Sequence, residues 1–162
     1  MSVNRYKSHV IVLPEDRANE EIANGFIQSL TVKNRAIQIE RPAKGWGKVV
    51  EKFKEQLVPE MRKYEKSITV LLIDFDQQED RFSSVATQIP DDLKDRVFVI
   101  GVLSEPESLK RKVKMTFEQI GNSLAEDCPD NKNELWEDDL LKHNETELDR
   151  ILISVKSFLF TI

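Results

Sequence analysis

Three carboxylates stand directly behind two apolar runs. Glu15 follows His-Val-Ile-Val-Leu-Pro, and Asp74 and Asp76 follow Ile-Thr-Val-Leu-Leu-Ile. Acids delivered to one place by two strand ends make an all-oxygen donor set. A hard cation such as magnesium takes such a set, with one or two carboxylates and several retained waters. Asp74 and Asp76 are two apart, so an extended chain points both to one face and Phe75 to the other. That spacing suits two acids sharing a metal or a metal-bound water. Glu15, from a neighbouring strand end, is expected as a third ligand or a general base. The competing reading is that acids after strands cap the helices that follow. Asp16, Glu79 and Asp80 fit that description as solvated acids in first helical turns.

Further along, Ser104 and Glu107 match a capping box, while Glu105 or Glu107 offers an extra metal ligand at the same sheet edge. Lys110, Arg111, Lys112 and Lys114 form the densest basic run. It reads either as a solvated helical face or as a surface that meets phosphates beside the acids. Lys44-Gly45-Trp46-Gly47-Lys48 reads as a loop entering a helix, with Trp46 folded onto the core, or as a loop whose Lys44 or Lys48 meets a phosphate. Neither a G-x-x-x-x-G-K-[ST] phosphate loop nor a G-x-G-x-x-G dinucleotide fingerprint is present. His9 heads an apolar run and His143 precedes the last helix, and neither has zinc-site spacing. Cys128, placed in a polar acidic loop, is a poor nucleophile because neighbouring carboxylates raise a thiol pKa. Trp136 is expected to pin the C-terminal segment to the body.

The elements that must position these residues alternate. Strands are predicted over 9–13, 36–39, 67–73 and 96–102. Helical spacing runs over 15–30 (Ala18, Ile22, Phe26, Leu30), from Gly45 to Tyr64 with a break at Pro59, and over 77–89. From Pro106 a single face carries Leu109, Val113, Phe117, Ile120 and Leu124. A polar loop follows at 125–134. A last helix is capped by Asn144 with Glu147 as the matching acid, and buries Leu148, Ile151, Leu152, Val155 and Leu159. Strand–helix alternation predicts an α/β fold: a mostly parallel four-stranded sheet, Rossmann-like, with helices on both faces and an extra C-terminal helix.

The 162 residues suit one domain, 1–162, with a core over 1–103 and a helical extension, 104–162, packed on it. A net charge of −5 argues against coating nucleic acid by bulk charge, but not against a local basic stripe beside an acidic metal centre. No apolar stretch spans a bilayer, the N-terminus lacks a signal-peptide core, and a single cysteine permits no internal disulfide. A cytoplasmic protein with no membrane contact is expected.

A glutamate after the first strand of a βαβαβ unit, with Asp-x-Asp after the third, resembles the Toprim (topoisomerase–primase) domain. The matching residues are Glu15 in Leu13-Pro14-Glu15-Asp16, and Asp74-Phe75-Asp76, within residues 1–103. The resemblance implies a Toprim-like α/β fold in which Glu15 is the acid/base residue and Asp74 and Asp76 hold Mg2+ or Mn2+. It also implies phosphoryl transfer on nucleic acid, since stand-alone Toprim-like proteins are often nucleases, some in bacterial defence loci. The chain departs from many members by lacking glycine in Arg17-Ala18-Asn19 and in Gln77-Gln78-Glu79-Asp80-Arg81. Those departures motivate a second expectation, an inactive Toprim-like interaction module with a protein partner in a larger complex. A third, a receiver-like phosphoacceptor built on Glu15, Asp16 and Asp74, needs a lysine after a fifth strand, and the segment around Lys156 reads as helix instead.

Overall fold

Three apolar runs, at 9–14, 67–72 and 97–100, are buried almost throughout, the pattern of strands covered on both faces, and Ile37-Gln38-Ile39 is a shorter, partly exposed one. In the computed structural model, which describes residues 2–130 and 135–161, they form one sheet. The strands are β1 (His9–Pro14), β2 (Ile37–Ile39), β3 (Ser67–Leu72) and β4 (Val97–Ile100). All pairings are parallel, in the order β2-β1-β3-β4. Ile11, Leu13, Leu71, Ile73, Val97 and Val99 pack against helices α2 (Trp46–Lys52), α3 (Val58–Lys63) and α4 (Arg81–Ala86). Val10, Val12, Ile68, Val70 and Phe98 face the other layer: α1 (Arg17–Gln28), α6 (Phe117–Asp127) and α7 (Glu145–Leu159). The α/β fold with helices on both faces is therefore as the alternation predicts.

Strand order fixes where ligands can sit. The chain moves outward from β1 to β2, then crosses back to place β3 on the other side of β1. The connections leaving β1 and β3 run to opposite layers, to α1 and to α4, and at such a switch point a parallel sheet opens a crevice at the carboxyl ends of its strands. These strands end level, with Pro14 opposite Leu72, and the Glu15 amide extends the ladder to the Leu72 carbonyl at 2.8 Å.

Several helices depart from the pattern read in the sequence, each for a local reason. The first begins at Arg17, because Asp16 caps it, and ends at Gln28, leaving Leu30 96% exposed rather than on the buried face. The break expected at Pro59 is a π-helical stretch, Phe53–Leu57, between α2 and α3. It loosens the ladder just before a residue that has no N–H to donate. The single helix expected from Pro106 is two helices, α5 (Pro106–Val113) and α6. Lys114 takes a left-handed backbone and Thr116 opens α6 with a reciprocal capping box to Gln119. The turn lets α6 lie against α1 at glycine contacts: a Cβ on Gly25 would sit 2.0 Å from the Glu118 carbonyl oxygen, and one on Gly121 1.8 Å from that of Ile22.

Ser104 and Glu107 form no capping box. The N-cap is Glu105, without a side-chain cap bond, and the Ser104 hydroxyl is buried with no partner among the described residues. Asn144 and Glu147 do not cap either. Asn144 exchanges hydrogen bonds with both backbone groups of Gly101 (3.2 and 2.9 Å), and Glu147 accepts from the Val99 amide at 2.8 Å. The side chains of Asn144, just before α7, and of Glu147, in its first turn, thus stand where a fifth strand would pair.

Of the loop expected at 125–134, residues to Asp127 are helical and Cys128–Asp130 form a 3-10 turn, while 131–134 lie outside the described residues. Cys128 is buried in the second core layer, and burial, not neighbouring carboxylates, pushes its thiol up to about 12. The Trp136 indole donates to the Leu124 carbonyl at 3.0 Å, pinning the C-terminal segment as expected. No helix among the described residues is long and apolar enough to cross a membrane.

Candidate metal centre at the strand ends

Strand β1 delivers Glu15 and β3 delivers Asp74 to the crevice, where both side chains are buried. Asp16 joins them, half-buried, and one carboxylate oxygen from each lies within 4.8 Å of the others. Asp16 is there because it caps α1, accepting from the Asn19 amide at 3.0 Å. Asn19, fully buried, ties the group together: its Nδ2 donates to Asp16 Oδ1 at 3.1 Å and to Asp74 Oδ1 at 2.8 Å. Glu15 Oε1 accepts from the Asp74 amide at 3.1 Å, which fixes the glutamate against the end of β3.

Glu15 and Asp74, buried and close to other carboxylates, resist ionisation. Burial is the main cause that raises the Asp74 carboxyl to about 8. The Asn19 bond opposes the rise, and the Asp16 and Glu15 charges add to it. The folded chain therefore favours the protonated form of Asp74 far above the usual carboxylate range. Burial also pushes Glu15 above the usual carboxylate range; the Asp74 amide and the Arg81 charge pull it back, while Asp16 and Asp76 push it further up. A dication in this crevice would offset the repulsion and take the place of the proton. The donor set is all oxygen, which suits a hard cation. The buried Asn19 Oδ1, with no hydrogen-bond partner among the described residues, is a further oxygen beside the carboxylates.

The expectation that Asp74 and Asp76 share a face does not hold. The backbone leaves the extended region at Asp76 (φ 48°) and Gln77 (φ 57°), so the side chains no longer alternate. Asp76 is exposed and bound instead by Arg81 at 2.6 Å, outside the group formed by Glu15, Asp16 and Asp74. Arg81 also donates to the Asp74 carbonyl at 2.8 Å and stacks over Trp46, its guanidinium carbon 4.9 Å from the ring centroid. It was not singled out in the sequence. An arginine five residues after an aspartate is a weak signal, and only the left-handed turn brings the two together.

Glu105 is exposed at the start of α5 and is not part of the acidic group. The loop carrying Lys44 is held at the site by backbone bonds: the Lys44 and Gly45 amides donate to the Glu15 carbonyl at 2.7 and 3.3 Å. Gly45 has φ 131°, which glycine adopts without strain. Lys48 is taken up by Glu51 at 3.4 Å. Lys110 lies over the Phe117 ring and Arg111 reaches Ser108, both contacts within the α5–α6 segment. Among the described residues there is no fifth strand, and Lys156 lies in α7, so the lysine position of a receiver has no counterpart.

Fold and site together define an all-parallel α/β protein with a buried acidic cluster at its switch point, able to hold a metal ion. No protein-family model, curated protein or solved structure matches the chain.

Proposed function

We propose that the chain is a divalent-cation-dependent phosphoryl-transfer enzyme, a Toprim-like nuclease that hydrolyses phosphodiester bonds in nucleic acid, with Mg2+ or Mn2+ as its metal. One observation carries the reading: Glu15, Asp16 and Asp74 bring carboxylate oxygens within 4.8 Å of one another at the strand ends where the connections run to opposite layers. Asp74 and Asp16 are the residues that would hold the cation, with Asp76 adjoining once Arg81 releases it. A divalent ion supplies charge to polarise a phosphodiester and lowers the pKa of its bound water. Glu15 is positioned by the Asp74 amide and made more basic by burial, which suits it to accept a proton from an attacking water. Trp46 and Arg81 wall the crevice, and Lys44 stands beside it.

The test is incubation with single- and double-stranded DNA and RNA, with Mg2+, Mn2+ or EDTA. Cleavage is expected only with metal, and Glu15→Gln or Asp74→Asn is expected to lower it at least about 100-fold, the usual scale of acid–base loss. Equal cleavage by wild type and both variants, or none under any condition, would sink the proposal.

One observation favours a second reading, the inactive interaction module. Arg81 already supplies a positive charge to Asp76 and to the Asp74 carbonyl. A protein whose melting temperature ignores divalent ions, before and after Arg81→Gln, would support that module over the enzyme.

A further inference from the structure

At the opposite end of the sheet, the N-terminal ends of β1, β2 and β3 surround an open cleft of about 840 Å³. Lys7 enters it ahead of β1, Lys33 and Arg35 ahead of β2, and Lys66 ahead of β3. Among the described residues, no acidic one lines it. All four cations are exposed, and none forms an ion pair among the described residues, although nine other Lys and Arg residues do. In a chain of net charge −5, four cations left without carboxylates around one concavity form a local positive potential that a polyanion would fill. Phe158, half-buried near the end of α7, is the one aromatic in the lining.

From this juxtaposition we propose that the cleft binds single-stranded nucleic acid, its phosphates on Lys7, Lys33, Arg35 and Lys66 and a base against Phe158. A cationic groove with an aromatic platform is how single strands are held without sequence reading. A concave floor does not fit a flat bilayer. The cleft is one strand length, about 20 Å, from the acidic crevice, beyond the roughly 10 Å over which charges act at 0.1 M salt. Binding here therefore does not require the acidic cluster to be catalytic. It also differs from the basic residues marked in the sequence: Lys44, Lys48, Lys110 and Arg111 all follow strand C-termini.

The experiment is fluorescence anisotropy of a labelled single-stranded oligonucleotide, roughly 10 nucleotides long, titrated with the full chain in EDTA. Affinity is expected to fall with salt at a log–log slope of about −3, from about −0.7 per phosphate contacted. The pairs Lys7→Glu/Lys66→Glu and Lys33→Glu/Arg35→Glu are each expected to weaken binding at least about tenfold. Phe158→Leu is expected to weaken the oligonucleotide but not inorganic tripolyphosphate. Circular dichroism establishes that each variant is folded. The inference is overturned if there is no binding at low salt, or if the cleft pairs bind as wild type. It is equally overturned if Lys110→Glu/Arg111→Glu alone abolishes binding, or if tripolyphosphate or polyglutamate displaces the strand at matched charge. Binding without cleavage would remove the nuclease proposal alone; cleavage with binding indifferent to the cleft would remove this one alone.

Discussion

Asp74 is the residue whose environment most changes its chemistry. Its carboxyl has a folded pKa of about 8 against an ordinary 3.8, so the folded chain holds the proton more tightly than the unfolded chain. The stability linked to that proton is complete below about pH 4 and is lost as the pH rises through about 8. Without metal, the melting temperature is expected to fall across that window. Asp74→Asn should flatten the fall and be the more stable protein at pH 8.5, each kcal/mol appearing as about 2–4 °C at this chain length. A scan of melting temperature against pH in EDTA measures it, and parallel curves for the two proteins would contradict it. Glu15 and Asp74 were legible in the sequence because each follows a buried strand, and strand ends are where a parallel sheet presents its ligands. Asp16 was harder to find because its spacing to Asn19 is that of a cap, and capping is what places it in the cluster. Asp76 misled because Asp-x-Asp aligns two side chains only while the chain stays extended.

Among the elements, the edge strand β4 depends on borrowed partners. The Val99 and Gly101 backbone groups that no neighbouring strand meets are taken by Glu147 and Asn144. Removing the Asn144 side chain leaves the Gly101 N–H without its acceptor, while the Gly101 carbonyl keeps its bond from His143, so the cost is about 1–3 kcal/mol for the one group. Asn144→Ala is expected to lower the urea midpoint accordingly, and a change within about 0.5 kcal/mol, as at an ordinary surface position, would mean that water replaces the amide. Asn-x-x-Glu before an apolar stripe is also a capping pattern, and nothing local separates the two uses. The choice depends on whether a strand edge lies alongside, a fact of tertiary structure. The reverse held at Thr116-x-x-Gln119. There the capping pattern is real, but the apolar stripe running through it read as one continuous helix.

For the molecule as a whole, residues 1–103 and 104–162 are not separable layers of importance. Val10, Val12, Val70 and Phe98 of the sheet share one apolar cluster with Ala125, Leu148, Ile151 and Val155. A chain ending at residue 103 would expose that face of the sheet and the outer edge of β4. It is expected to be insoluble or molten, whereas the full chain is expected to unfold in one cooperative transition. A soluble 1–103 fragment with sharp thermal unfolding would contradict that. Strand alternation made the sheet, its direction and the side bearing the acids readable from sequence. The N-terminal cleft was not, because Lys7, Lys33, Arg35 and Lys66 are scattered along the chain and only the parallel sheet gathers them.

That gathering gives the molecule a polarity along its strands. A cluster of carboxylates sits at one end of the strands, and four cations without ion pairs among the described residues sit at the other, so the two ends present different chemistry to a charged partner. Near a polyanion the net charge of −5 repels. If the proposed cleft holds nucleic acid, the protein is expected to approach it with its strand N-termini leading, at ionic strength low enough for the field of the four cations to reach it.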